Sequence, residues 1–238
     1  MTRPGAIAVI IFAFGGCGKP ARVAAPAPVA DRGPAQAPYE ASPSEEEFEV
    51  ISGVGTLSSE QVLETVEPHV KSITACVYAQ AYEAPWLGGD IELQWEVAPT
   101  GEVTTAILRK STLGSWAAET CILTLASQLS FPKPKGGPAT VALPMEIPAV
   151  KRPLTLDPLR VRGALIPGLI KLGKTCGDQS DVTATAYVGG RGQVLSVGFS
   201  RAQPIDVTWA DCAATEIAAW VITANRGYTS KVEFTAAP

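Results

Sequence analysis

Apolar residues occupy alternate positions from Ile91 to Val97, with Glu92, Gln94 and Glu96 between them, and the alternation resumes at Val103, Thr105 and Ile107. A period of two marks a strand with one buried side, and Ala98-Pro99-Thr100-Gly101 supplies a turn between the runs, so this stretch predicts a hairpin. Upstream, Val66, Val70, Ile73 and Val77 recur at steps of four, three and four, one apolar helical face with Cys76 beside it. Ser58 and Gln61 have capping-box spacing, which starts a short helix near Ser59, and Pro68 suits the first turn of the next. Downstream, Ala118, Cys121, Ile122, Leu125 and Leu129 form the stripe of a second helix over about Ser115 to Leu129, closed by Phe131-Pro132-Lys133-Pro134. Val141, Leu143, Met145 and Ile147 predict a last strand, in which Pro144 argues for a sheet edge.

The same pattern is written a second time. Asp90, Val97, Gly101, Val103, Cys121 and Val141 each reappear 91 positions later, as Asp181, Val188, Gly192, Val194, Cys212 and Val232. Val66, Val70, Lys71 and Cys76 reappear 100 positions later, as Ile166, Ile170, Lys171 and Cys176, so copy one is nine residues longer after its first cysteine. The second copy predicts a helix through Cys176, strands near Val182 to Val188 and Val194 to Phe199, a turn at Gly189 to Gly192, a helix near Trp209 to Ile222 and a strand at Lys231 to Thr235. The expected fold is α+β: two tandem α-β-β-α-β domains, 58–148 and 155–238, each a three-stranded antiparallel sheet with two helices on one face.

Composition narrows the setting. With 238 residues and 46% hydrophobic content the chain can bury two small cores. A net charge of -4 leaves no broad cationic surface for counterion release, so nucleic acid is excluded as an expected partner. Arg3, the apolar run Ala6 to Phe14 and two glycines before Cys17 read as an export signal over 1–16, too short to span a bilayer. Phe14-Gly15-Gly16-Cys17 resembles the lipobox of bacterial lipoproteins, with Phe where Leu is usual; that resemblance makes Cys17 the acylated amino terminus. Residues 17–50, rich in Ala and Pro and ending near Glu45-Glu46-Glu47, cannot bury enough apolar surface to order themselves and read as a tether. About 30 such residues average roughly 30 Å as a coil and reach about 90 Å as polyproline II.

Setting Cys17 aside leaves four cysteines, two per copy, as suits an exported protein. Four cysteines allow three pairings, and the repeat makes Cys76 with Cys121 and Cys176 with Cys212 the symmetric choice. Zinc is the alternative, but no cysteine of the four has a partner two to four residues away.

Leu63-Glu-Thr-Val-Glu-Pro-His69, Cys76, Gly101-Glu-Val103, Ser111-Thr-Leu-Gly114, Glu119-Thr-Cys121 and Phe131-Pro-Lys-Pro-Lys-Gly-Gly137 resemble the AgmX/PglI C-terminal domain of myxobacterial envelope proteins, which is similar to the C-terminal domain of TonB. The match covers about Ser58 to Ile147; copy two keeps its cysteines and strand pattern but lacks Phe-Pro after its second helix. The resemblance implies a periplasmic contact module without catalysis, which docks on envelope proteins or peptidoglycan.

Candidate chemistry is sparse. Gly168-Leu-Ile-Lys-Leu-Gly173-Lys174-Thr175 has the spacing of a phosphate-binding loop, but falls where both copies predict helix. His69 is the single histidine, around which any His-dependent triad would have to be built. A nucleotide-binding or hydrolytic enzyme using Lys174 or His69 is therefore the rival to a binding or scaffold role. No cofactor and no metal site is expected. As contact features, Lys133 and Lys135 form a cationic loop among prolines, Trp86 after Pro85 is a candidate exposed anchor, and the last strand of each copy offers an edge for an extended peptide. The expected location is the periplasmic side of a membrane, with Gly18 after the lipid site pointing to the outer one.

Overall fold

The computed structural model describes residues 55–223 and 227–236; the export signal, Cys17 and the tether lie outside them. Ser58 caps α1 (Ser59–Val66), accepting from Gln61 N while Gln61 Oε1 accepts from Ser58 N, the reciprocal box the spacing predicts. Pro68 sits in a 3-10 turn (Glu67–His69) that carries the chain into α2 (Val70–Tyr78). The hairpin follows as β1 (Gly89–Val97) and β2 (Val103–Ser111), then α3 (Trp116–Ser127), capped by Ser115, and β3 (Ala139–Ile147). The sheet is antiparallel with order β2-β1-β3. Ile91, Leu93, Trp95 and Val97 of β1 share one core with Val62, Val66, Ile73 and Val77 from the first helices and Ala118, Ile122 and Ala126 from α3. Trp95 fills its centre, its indole N–H donating to Ala126 O at 3.0 Å and its ring meeting Phe131 edge-on at 5.6 Å.

Copy two begins with a two-residue strand, β4 (Leu154–Thr155), followed by α4 (Pro158–Cys176), β5 (Thr183–Val188), β6 (Val194–Ser200), α5 (Val207–Ala218) and β7 (Ser230–Thr235). Its sheet is four-stranded and mixed, order β4-β7-β5-β6, rather than three-stranded and antiparallel. The extra strand pairs parallel with β7, Leu154 opposite Ser230 and Thr155 opposite Lys231. A two-residue strand carries no periodicity, which is why the hydrophobic pattern misses it. On α4 the buried residues are Val161, Leu165 and Leu172, while Ile166 and Ile170, the counterparts of Val66 and Val70, are exposed.

The repeat survives at its tightest point. Gly101 and Gly192 both take positive φ, 95° and 90°, and a Cβ at either would press on a carbonyl oxygen, of Phe131 at 2.1 Å and of Ile222 at 2.9 Å. Those same residues donate to the glycine carbonyls, Phe131 N to Gly101 O and Ile222 N to Gly192 O. The chain leaving each second helix is thus laced to the hairpin turn of its own copy, and only glycine permits the approach.

Each copy also carries its own disulfide. Cys76 of α2 bonds Cys121 of α3, with Cα atoms 5.8 Å apart, and Cys176 at the end of α4 bonds Cys212 of α5, at 5.7 Å. Lys171 and Glu216 form an ion pair at 2.7 Å between the same two helices of copy two. Both bridges place the chain in an oxidising, extracytoplasmic setting. Among the described residues no helix is long and apolar enough to cross a membrane.

Candidate functional site

The richest chemistry lies where the two copies meet. On β5, Ala184, Ala186 and Val188 face the core beneath α4 and α5, so alternation turns Thr185 and Tyr187 to the opposite face. That face is buried too, because copy one packs on it. Tyr187 is fully buried within the core of copy one. Its hydroxyl donates to Gly88 O at 2.7 Å and its ring lies tilted by 42° against Trp86, centroids 4.3 Å apart. Thr185 Oγ1 donates to Ser111 O, and Ser196 Oγ to Gly114 O. In the other direction, Trp116 at the start of α3 lies in the core of copy two, edge-on to Phe199 at 5.7 Å, with its indole N–H donating to Asp211 at 2.7 Å. The copies thus exchange one aromatic each. The sheets stay separate, linked edge to edge by Arg201 N donating to Leu108 O at 3.0 Å.

Glu119 of α3 is 0% exposed at this junction. Its carboxylate oxygens accept from Ser111 Oγ at 2.7 Å and from Phe199 N, across the junction, at 2.6 Å. Burial pushes its pKa up to about 8, against the opposing pull of those hydrogen bonds and one from Gly114. Gly198 makes room for it, since a Cβ there would lie 2.3 Å from a carboxylate oxygen. Lys231 reaches across from β7 and donates to Gly88 O at 3.0 Å and Thr112 O at 2.9 Å, over the Tyr187 ring. Desolvation lowers its pKa, with Asp90 and Glu233 acting the other way.

Two recesses flank the junction. One, of about 620 Å³, is bordered by Asp90, Glu146, Arg152, Lys231 and Glu233, with Asp90 and Glu146 directly opposite each other on β1 and β3. The second, of about 380 Å³, is apolar and runs between α3 and the chain before α5, lined by Leu108, Trp116, Leu123, Phe199 and Ile205.

The residues singled out in the sequence are scattered. Lys133 and Lys135 are both exposed, on a loop pinned to the body by paired hydrogen bonds between Thr56 and Lys135. Trp86 is not an exposed anchor: it is partly buried against Tyr187 and the core of copy one, because its flat ring closes the seam between the copies. The exposed aromatic of that loop is Tyr82, at 97%. His69 is exposed in its 3-10 turn. Gly168 to Thr175 lies inside α4, where backbone N–H groups are spent on helical hydrogen bonds and cannot cradle phosphate. Gly168 has a packing reason, since a Cβ there would strike the Trp220 ring at 2.6 Å. The four cysteines are held in disulfides, which removes them as zinc ligands. Among the described residues no group of histidine, cysteine or carboxylate side chains could hold a metal ion. Of the two strand edges expected, that of β7 is covered along Ser230 and Lys231 by β4. Glu119 escaped the sequence reading because its burial comes from the other copy, which no periodicity within α3 records. No family model, curated protein or solved structure matches the chain.

Proposed function

We propose that this protein is a bacterial envelope lipoprotein, acylated on Cys17, whose two-copy body acts as a non-catalytic docking module on envelope proteins or the cell wall. Acyl chains at Cys17 and the tether to residue 50 would hold that body clear of the membrane, with Gly18 favouring the outer membrane as its site. A single acyl chain binds only marginally, so stable anchoring calls for the several chains of a lipoprotein. The observation that carries the docking role is the loop Pro132 to Pro138. It holds two exposed lysines on a body whose helices are stapled by disulfides, fixed at its start by Phe131 N on Gly101 O and in its middle by Thr56. A rigid cationic projection loses little entropy on meeting an anionic polymer or an acidic protein face. The resemblance of Ser58 to Ile147 to the AgmX/PglI and TonB C-terminal domains supports the same role.

Purified full-length protein should sediment with cell-wall sacculi or crosslink to a discrete envelope protein, and Lys133→Glu with Lys135→Glu should weaken that association about tenfold, as reversal of a charged contact does. Association indifferent to both substitutions would remove the loop from the docking surface. Cys17→Ser should move the protein from the membrane pellet to the soluble fraction; retention in the pellet would argue against acylation.

A further inference from the structure

Apolar side chains stand on two sides of α4. Val161, Leu165 and Leu172 are buried in the core of copy two, while Leu159, Ile166 and Ile170 are 74%, 43% and 47% exposed. At about 100° per residue the two sets lie roughly 140° apart around the helix, and each spans only about 40°. Gly163 falls within the outer stripe, with open space where a Cβ would stand. The fold of copy two uses the inner stripe alone.

Basic side chains flank the outer stripe. Arg162 lies to one side of it, Arg160 and Lys174 to the other, and all three are exposed. Over residues 158–176 there are four basic residues and no acidic one, in a chain whose net charge is -4. The fourth, Lys171, sits nearer the body and pairs with Glu216. Copy one differs on both counts. Its Glu60, Glu64 and Glu67 stand 100 positions before Arg160, Ala164 and Pro167, and Val66 and Val70, the counterparts of Ile166 and Ile170, pack into its core. The shared fold therefore does not require the exposed stripe or its charge.

Size and charge narrow what could cover this face. From Leu159 to Ile170 the strip is about 17 Å long and about 10 Å wide, on the order of 170 Å², against the ~800 Å² that each partner gives to a specific protein interface. A second copy of the face would bring like charges together. An anionic bilayer asks for neither large area nor matched shape. Aliphatic side chains enter the acyl boundary singly, while arginine and lysine keep their heads at the phosphates.

We infer that the outer face of α4 lies in the headgroup layer of an anionic lipid membrane, with Leu159, Ile166 and Ile170 embedded and Arg160, Arg162 and Lys174 on the lipid phosphates. The inference concerns the folded body and does not rest on acylation at Cys17. In the proposed lipoprotein, a tether that can hold the body clear of the membrane is also long enough to let it return to the surface.

Vesicle cosedimentation of the full chain bearing Cys17→Ser, which has no acyl chain, tests this. Binding to vesicles of phosphatidylglycerol and phosphatidylcholine in equal parts should be at least about tenfold tighter than to phosphatidylcholine alone. Arg160→Glu with Arg162→Glu should remove that preference, and Ile166→Ser with Ile170→Ser should weaken binding to the mixed vesicles about tenfold. Gly163→Leu should tighten it about tenfold, because the new side chain extends the stripe without meeting a neighbour; misfolding could not produce such a gain. Equal binding to both kinds of vesicle, or binding to the mixed vesicles that ignores the arginine and isoleucine substitutions, would overturn the inference. So would a Gly163→Leu chain that binds lipid no more tightly. A chain that leaves both vesicles unbound but self-associates more strongly with Gly163→Leu would overturn it by making a second copy the occupant.

Discussion

At the scale of the residue, the burial of Glu119 makes stability depend on pH. Its folded pKa, about 8, lies above its ordinary 4.5. Its contribution to stability is therefore complete below about 4.5 and is lost as pH climbs through about 8, because the unfolded chain releases the proton more readily than the folded one. Glu119→Gln keeps an oxygen for the Phe199 N–H and gains an amide donor for Ser111 Oγ. Thermal unfolding should show the parent losing stability between pH 5 and pH 8 by up to ~1.4 kcal/mol per pH unit more than the Gln variant; equal slopes would mean the carboxyl is not held neutral. Gly198→Ala should cost about 1 to 3 kcal/mol by chemical denaturation, the usual range for overpacking, since the new methyl meets the Glu119 carboxylate. A neutral outcome would show that the seam opens more easily than its geometry implies. Neither residue announces itself in the sequence. Glu119 sits on a helix whose own stripe is Ala118, Ile122 and Ala126, and a carboxylate beside such a stripe reads as solvated until the second copy is laid over it.

At the scale of the element, the disulfides hold helices to helices. The bridges close 45- and 36-residue separations, each worth roughly 4 kcal/mol in the chain-entropy model. Removing Cys176 and Cys212 together, as serines, should lower unfolding stability by about that amount, and a loss under ~1 kcal/mol would show that the Lys171–Glu216 pair and the core hold α4 and α5 unaided. The elements most legible in the sequence are those whose environment is uniform along their length. β1 alternates because one side meets the core of copy one and the other carries Glu92, paired with Arg109 and Lys110. The capping box at Ser58 and the positive φ of Gly101 and Gly192 mark a helix start and two turns by local backbone chemistry, although the close approach of Phe131 and Ile222 to those glycines comes only with the fold. β5 lies where its pattern puts it, at Thr183–Val188, but the burial of Thr185 and Tyr187 on its second face is not legible there, because it is copy one that covers them. β4 is shorter than any pattern.

At the scale of the molecule, two copies of one unit have become a single body. Trp116 and Tyr187 each complete the core of the other copy, so neither core is whole alone. Heat or denaturant should unfold both in one transition, and Tyr187→Ala should destabilise copy one although the residue belongs to copy two; two resolved transitions would show the copies to be autonomous. The binding role proposed for this body, and its place at a membrane, both presuppose that a duplicated unit was exported and each half locked by its own pair of thiols. Non-reducing peptide mapping of protein isolated from its native cells tests that most directly. Peptides joining Cys76 to Cys121 and Cys176 to Cys212 are predicted; a Cys121 to Cys176 link, or four free thiols, would contradict it.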